Sequence, residues 1–304
     1  MLADPAALLR ALRLQPDCEF EVEPGGRGVE RWTLCPPSAD ARVVIIRAHP
    51  DPELAMNHAA VADALSRAGF PHVPRPLAAI GEALVEEAVA GISALSLVSP
   101  EGSAEAAMGA FATLHSLDLR EGLNWELGPE QVLPADAPPL HRLGFAAHER
   151  APAEAALADA REAVLTSPWG FCHGDASAAN VLLAPGRAWL VSLHAAGFGP
   201  QLFDVAAFLL TAGIDAPRRH DLASHYSHTR GLDSAETADL VDLAGILWGI
   251  RELLVLPRRS IELLGDNAAS AALNTAAGRI ERGVREPAGA HPAAVAVRAA
   301  LWPS

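Results

Sequence analysis

The residues best placed to do chemistry lie in one short run, Phe171–Leu183, with the sequence FCHGDASAANVLL. It holds His173-Gly174-Asp175, then four residues, then Asn180 and an apolar strand. A carboxylate beside an imidazole can move protons, and His194 downstream could join Asp175 and His173 in an acid/base cluster. On its own, His-Gly-Asp reads equally well as a turn. Cys172 invites a nucleophile role, but neighbours on a strand point to opposite faces, so it is expected to be a buried packing residue.

Other chemistries are removed by composition. The 304 residues include 23 Lys+Arg, all arginine, so no lysine Schiff base, lysine general base or phosphate-loop lysine can exist. Any nucleotide phosphate must be held by arginine, backbone N–H groups or a metal. A net charge of −14 disfavours nucleic acid and would welcome a cationic small molecule. Cys18, Cys35 and Cys172 are too scattered for a disulfide framework or zinc site. The opening MLADPAALLRALRL carries Asp and Arg in its apolar run, and no stretch approaches a membrane span. A cytoplasmic protein with no membrane partner is expected.

The elements that must position the run divide into two lobes. Cys18–Glu23 and Val29–Cys35 flank the turn cluster Pro24–Gly28 and predict a hairpin. That cluster has three glycines without a clean G-x-G-x-x-G spacing, so a plain turn is the simpler reading. Ala41–Arg47 reads as a buried strand ending in a cation. Asp51–Ala68 reads as a helix with Leu54, Ala55, His58, Val61, Ala62 and Leu65 on one face, closed by Gly69. A second hairpin, Ala78–Ile80 with Ala83–Ala88, follows, and Gly91 breaks it. Beyond it the chain is mostly helical. Ser103 is expected to cap a helix to Ser116 with Ala107, Phe111 and Leu114 inward. Two helices parted near Pro152 should fill Leu140–Thr166, and a β island Trp169–Ser192 precedes helices at Leu202–Ala212, Pro217–Thr229, Ser234–Leu256, Ser260–Val284 and Pro292–Leu301. The division falls near residue 90, giving a small β-rich N-terminal lobe (1–90) and a large helical C-terminal lobe (91–304). A cleft between two such lobes is a natural ligand site.

The spacing H-G-D-x-x-x-x-N resembles the catalytic loop of the aminoglycoside phosphotransferase and choline kinase family, relatives of protein kinases. Leu114-His115-Ser116 resembles that family's helix-ending L-H-x, and Val85–Gly91 its hinge. Gly197–Ala206 resembles its G-x-G-x-P-x-Y/F-D-L-A stretch, with Gln201 at the usual proline. The resemblance covers roughly residues 20–255. It implies an α+β, two-lobed, protein-kinase-like fold: a small β-rich, nucleotide-binding lobe with one long helix, then a large helical lobe with the catalytic loop and acceptor site. It implies ATP or GTP with Mg2+, and transfer of a γ-phosphate to a hydroxyl of an antibiotic, sugar or amino alcohol. Asp175 would then orient the hydroxyl and take its proton, while His173 and Asp204 would brace the loop. Arg47 would pair with phosphates, Glu87 would fall in the nucleotide hinge, and Asn180 would offer its oxygen to the metal.

Three positions depart from the family. Ser192 falls where the metal-binding aspartate belongs, and serine is a poor magnesium ligand. His194, where the family often has an acid, would favour a softer metal. His58 falls where the helix carboxylate should pair with the cation, with Glu53 one and a half turns earlier. A repurposed or pseudokinase member is therefore the alternative reading, and a non-enzymatic binding module a third. Acceptor contacts are expected from Trp248, Glu252 and the acidic run Asp233, Glu236, Asp239 and Asp242, although that run also suits a solvated helix face and Trp248 a core position.

Overall fold

A computed structural model describes residues 19–24, 30–35, 44–48, 52–80, 83–94, 102–119, 147–262 and 267–302. The turn cluster after Pro24 and the loop 122–139 lie outside the described residues. Five strands, β1 (Glu19–Pro24), β2 (Glu30–Cys35), β3 (Val44–Ala48), β4 (Pro76–Ile80) and β5 (Ala83–Glu87), form one antiparallel sheet in the order β1-β2-β3-β5-β4. The long helix α1 (Pro52–Arg67) packs on it with Ala55, His58, Val61, Ala62 and Leu65 buried. Gly69 closes α1 at φ 69, and the Phe70 N–H bonds back to Leu65 as its ring turns into the core.

The second lobe begins at β6 (Ile92–Ser93), which joins β8 (Val181–Ala184) and β9 (Arg187–Leu190) in a three-stranded sheet. A second pair, β7 (Trp169–Cys172) with β10 (Gly197–Pro200), carries the chain into and out of the motif. Helices α2 (Ser103–Leu114), α3 (Ala147–Leu165), α4 (Leu202–Thr211), α5 (Ala216–Arg230), α6 (Ser234–Glu262), α7 (Asn267–Arg285) and α8 (Pro292–Leu301) surround them. The core between them is apolar and continuous, from Phe111 and Leu114 through Leu157 and Phe208 to Leu247 and Val284. Helix α7 approaches both α6 and α4 closely: a Cβ on Gly249 of α6 would meet Val284 at 2.3 Å, and one on Gly283 of α7 would meet Leu210 of α4 at 2.3 Å. This two-lobed α+β arrangement is the expected kinase-like one. Among the described residues, no helix is long and apolar enough to cross a membrane.

Three local expectations are corrected. Ser103 is the first residue of α2 and is buried; Gly102, at φ 71, holds the cap position. One helix runs through Pro152 instead of two parting there. A proline inside a helix forfeits an N–H bond and crowds the carbonyl four residues back, a cost of about 3 kcal/mol, and burial of Ala153, Ala156, Leu157, Ala160 and Val164 against the core offsets it. Helix α6 likewise continues through Pro257 to Glu262.

Candidate active site

The motif is held in place mainly by backbone. Cys172 on β7 pairs with Gly197 on β10, so the chain leaving β7 at His173 runs beside the chain entering β10 from Ser192. Gly174 sits at φ 77, and a Cβ there would lie 2.0 Å from the Ala195 carbonyl oxygen. Only glycine satisfies both the left-handed backbone and that close approach.

Asp204, in the first turn of α4, accepts the N–H of His173 at 2.5 Å and of Gly174 at 3.0 Å. It also meets His115 Nε2 at 3.1 Å, and His115 Nδ1 lies 2.8 Å from the Tyr226 hydroxyl. His173 is fully buried. Its Nε2 faces the Val191 carbonyl at 2.9 Å, so Nε2 carries the proton, and Nδ1 accepts the Asp175 N–H at 3.3 Å. Both ring nitrogens are thus spent on backbone.

Asp175 stands part-buried after this brace. Its carbonyl accepts from Asn180 Nδ2 at 2.8 Å, which leaves Oδ1 as the acceptor end of that amide. Asn180 ends a 3-10 turn, Ala178–Asn180, whose Ala178 N–H is bound by Thr211 Oγ1. The Val191 N–H bonds to the Asn180 carbonyl at 2.9 Å and lays the segment ending at Ser192 alongside.

Across from the loop lies a buried charged cluster. Arg47 on β3 is 7% exposed; its Nε donates to Glu86 Oε2 at 2.6 Å and its Nη1 to Ser192 Oγ at 3.2 Å. Glu86 on β5 pairs across the sheet with Ile45, which puts Arg47 and Glu86 diagonally on one face. The pairing carboxylate therefore comes from a neighbouring strand, not from the helix; Glu53 is exposed. His58 is fully buried, accepts the Leu193 N–H at 3.3 Å, and has Nε2 3.4 Å from Glu86 Oε1. Asn57 Nδ2 donates to the carbonyls of His194 at 2.9 Å and Ala196 at 3.3 Å.

Burial opposes ionisation of Glu86, but the Arg47 charge and His58 hold its carboxyl down at about 2. Burial lowers the pKa of His58 and of His115, against the pull of Glu86 and Asp204 respectively. All three shifts work in one direction. Below about pH 6.5, the ordinary value, the unfolded chain takes up imidazole protons that the folded chain refuses; below the ordinary carboxylate range it also protonates Glu86. Stability should therefore fall as pH drops below about 6.5, and fall further towards pH 2. Tm measured from pH 8 downward should hold to about pH 6.5 and decline below it; a profile that stays flat through the acid range would contradict it.

Glu87, one residue past Glu86, pairs with Arg75 at 3.4 Å on the surface and does not reach Arg47. His194 is buried, with its ring centroid 6.3 Å from that of His58. Among the acceptor candidates, Asp233 accepts the Glu236 N–H at the start of α6, and Asp239 accepts the N–H of Ala290. Asp242 is buried in a bidentate pair with Arg298. These carboxylates fasten the helical lobe. Trp248 is in the core.

The donors do not make a magnesium site. Magnesium takes oxygen ligands in octahedral order. Among the described residues, the expected ligands offer one amide oxygen, on Asn180, and one hydroxyl, on Ser192, already accepting from a guanidinium; the nearest loop carboxylate, Asp175, stands at the acceptor position of the motif. The buried carboxylate beside the loop, Asp204, is committed to two N–H groups and His115. With His115 and Cys172 it forms the one grouping of metal-ligating side chains among the described residues. Those side chains are satisfied without an ion: Cys172 Sγ donates to the Gly199 carbonyl at 3.2 Å, and burial pushes its thiol pKa well up.

Sequence reasoning passed over Glu86 and Asn57. Glu86 was accessible from alternation in ALVEE, which sets Glu86 and Leu84 on one face. Asn57 carried no signal, since its partners are carbonyls far along the chain.

The fold and this loop define a class, the kinase-like phosphotransferases. The model of the phosphotransferase enzyme family matches residues 37–240, and the chain belongs to that family. A comparison with curated proteins gave no match. Among solved structures, the chain is similar to a choline/ethanolamine kinase family protein from Mesorhizobium loti, with 18% identity, a TM-score of 0.66, and 96% of this chain and 98% of the other covered. It is similar to a microcompartment-associated aminopropanol kinase at 17% identity and TM-score 0.65, covering 93% and 97%. For the macrolide 2'-phosphotransferase of Brachybacterium faecium the values are 20% and 0.62, covering 88% and 98%. At these identities the likeness is one of fold.

Proposed function

We propose that the protein is a nucleotide-dependent O-phosphotransferase acting on the hydroxyl of a small molecule. The observation that carries this is the loop itself: Asp175 and Asn180 are bound to each other and clamped by His173 and Asp204. Such clamping keeps a catalytic geometry fixed before substrate arrives. In the reaction, Asp175 orients the acceptor hydroxyl and takes its proton as the oxygen bonds to the terminal phosphorus. The bridging oxygen leaves on the nucleoside diphosphate. Arg47, aimed by Glu86, supplies positive charge to the phosphates. Ser192 takes the place of the family's metal carboxylate in this reading, because the oxygens of Asp204 are committed to the loop.

The acceptor is an antibiotic, sugar or amino alcohol, and a net charge of −14 favours a cationic one. The test is γ-phosphate transfer against aminoglycosides, macrolides, nucleosides and choline. Acceptor-dependent turnover is expected, and Asp175→Asn should lower kcat about 10²–10⁴-fold with the circular dichroism spectrum unchanged. Turnover unaffected by that substitution would remove Asp175 from its role.

A second reading, a repurposed member with other chemistry, is favoured by one observation: the Ser192 oxygen is engaged by Arg47. Absence of transfer to every acceptor, with nucleotide still bound, would select it.

A further inference from the structure

The mismatch between this site and a magnesium ion has a direct consequence for nucleotide binding. In the family arrangement, a metal carboxylate brings negative charge next to the phosphates, and the ion both bridges and neutralises it. Here position 192 is neutral, and the remaining loop carboxylate, Asp175, is assigned to the acceptor hydroxyl, so no carboxylate is left to ligate the ion. Ser192 Oγ instead accepts from Arg47 Nη1 at 3.2 Å, which puts a fixed cation against the oxygen an ion would use. A divalent ion on that oxygen would face the guanidinium at close range and be repelled. Arginine has more donors to spare for an oxyanion than lysine would: Nε is spent on Glu86 and one N–H of Nη1 on Ser192, and among the described residues these are its hydrogen bonds.

We infer that the phosphate end of this cleft works without a divalent ion, with Arg47, anchored by Glu86 and Ser192, supplying the charge. The inference rests on the nucleotide-dependent reading of the site. It concerns the ion alone.

Calorimetric titration of the full chain with ADP and with ATP, in excess magnesium and in EDTA, tests it. The two dissociation constants should agree within about threefold. Ser192→Asp should change this, because the backbone already holds the left-handed conformation that aspartate tolerates. In that variant magnesium should tighten binding about tenfold or more relative to EDTA. Magnesium tightening wild-type binding beyond threefold overturns the inference and leaves the nucleotide reading standing. Ion-independent binding by the Ser192→Asp variant overturns it too, since Ser192 would then not be the cause. No binding in either medium overturns both. Arg47→Lys gives a further check that keeps the charge on Glu86. It should weaken ADP binding in EDTA, and unchanged affinity with an intact fold counts against Arg47 as the source of charge.

Discussion

Replacing Glu86 with glutamine should destabilise the protein by about 3–5 kcal/mol, the usual cost of removing one partner from a buried ion pair. The cost arises because Arg47 is a cation with little access to water: it is 7% exposed, and its Nε points at Glu86 from 2.6 Å. The damage would spread to the cleft. Arg47 carries the bond to Ser192, and Glu86 also faces His58, which holds the Leu193 N–H. Urea denaturation gives the stability change, and the double variant Arg47→Met with Glu86→Leu separates its origins. Removing both charges should recover most of the loss, because an apolar pair of similar volume avoids the uncompensated cation. Recovery of stability without recovery of nucleotide binding would assign the pair to function. If Glu86→Gln costs less than about 1 kcal/mol, the pair is worth no more than an exposed one and the buried-cluster account is wrong.

The second large effect is expected at Gly174→Ala. A Cβ there would stand 2.0 Å from the Ala195 oxygen and 2.8 Å from its carbon, both backbone atoms held by the strand pair β7–β10. Overpacking of this kind costs about 1–3 kcal/mol. The left-handed backbone adds about 1–2 kcal/mol for any residue with a Cβ. The strain has one cheap outlet, a shift of the 173–175 segment away from Ala195. That shift would break the Asp204 bonds to His173 and Gly174 and swing Asp175 out of position. Turnover should therefore fall further than stability. A variant that keeps normal turnover would show that the loop tolerates displacement and that Asp175 needs no fixed geometry.

The lobes were legible in the sequence because strands and helices leave periodic traces, and α1 and β1–β5 fall within a few residues of their expected bounds. The loop was legible because its residues are close in sequence: His173, Asp175 and Asn180 lie on one turn of chain. The ion pair was not. Arg47 and Glu86 are 39 residues apart, and what joins them is the strand order, with β5 lying next to β3. Position along the helix leads to His58, whereas the carboxylate comes from the adjacent strand β5. Pro152 misled for a different reason: a local helix-breaking rule was overridden by packing of alanines and leucine against the core. Ser103 was chosen by residue type, whereas the cap needed a left-handed backbone that Gly102 supplies.

The side chains of Arg47, Asn57 and His58 all reach from the small lobe into the short segment 192–196 of the large one. A second set of bonds crosses between the lobes, from Pro71 and His72 to Arg187, Ala188 and Leu190. The two sets lie on the strand β9 and the segment after it, so the charged cluster and the loop are seated on one continuous stretch of the large lobe, and displacing either lobe means breaking bonds at both places.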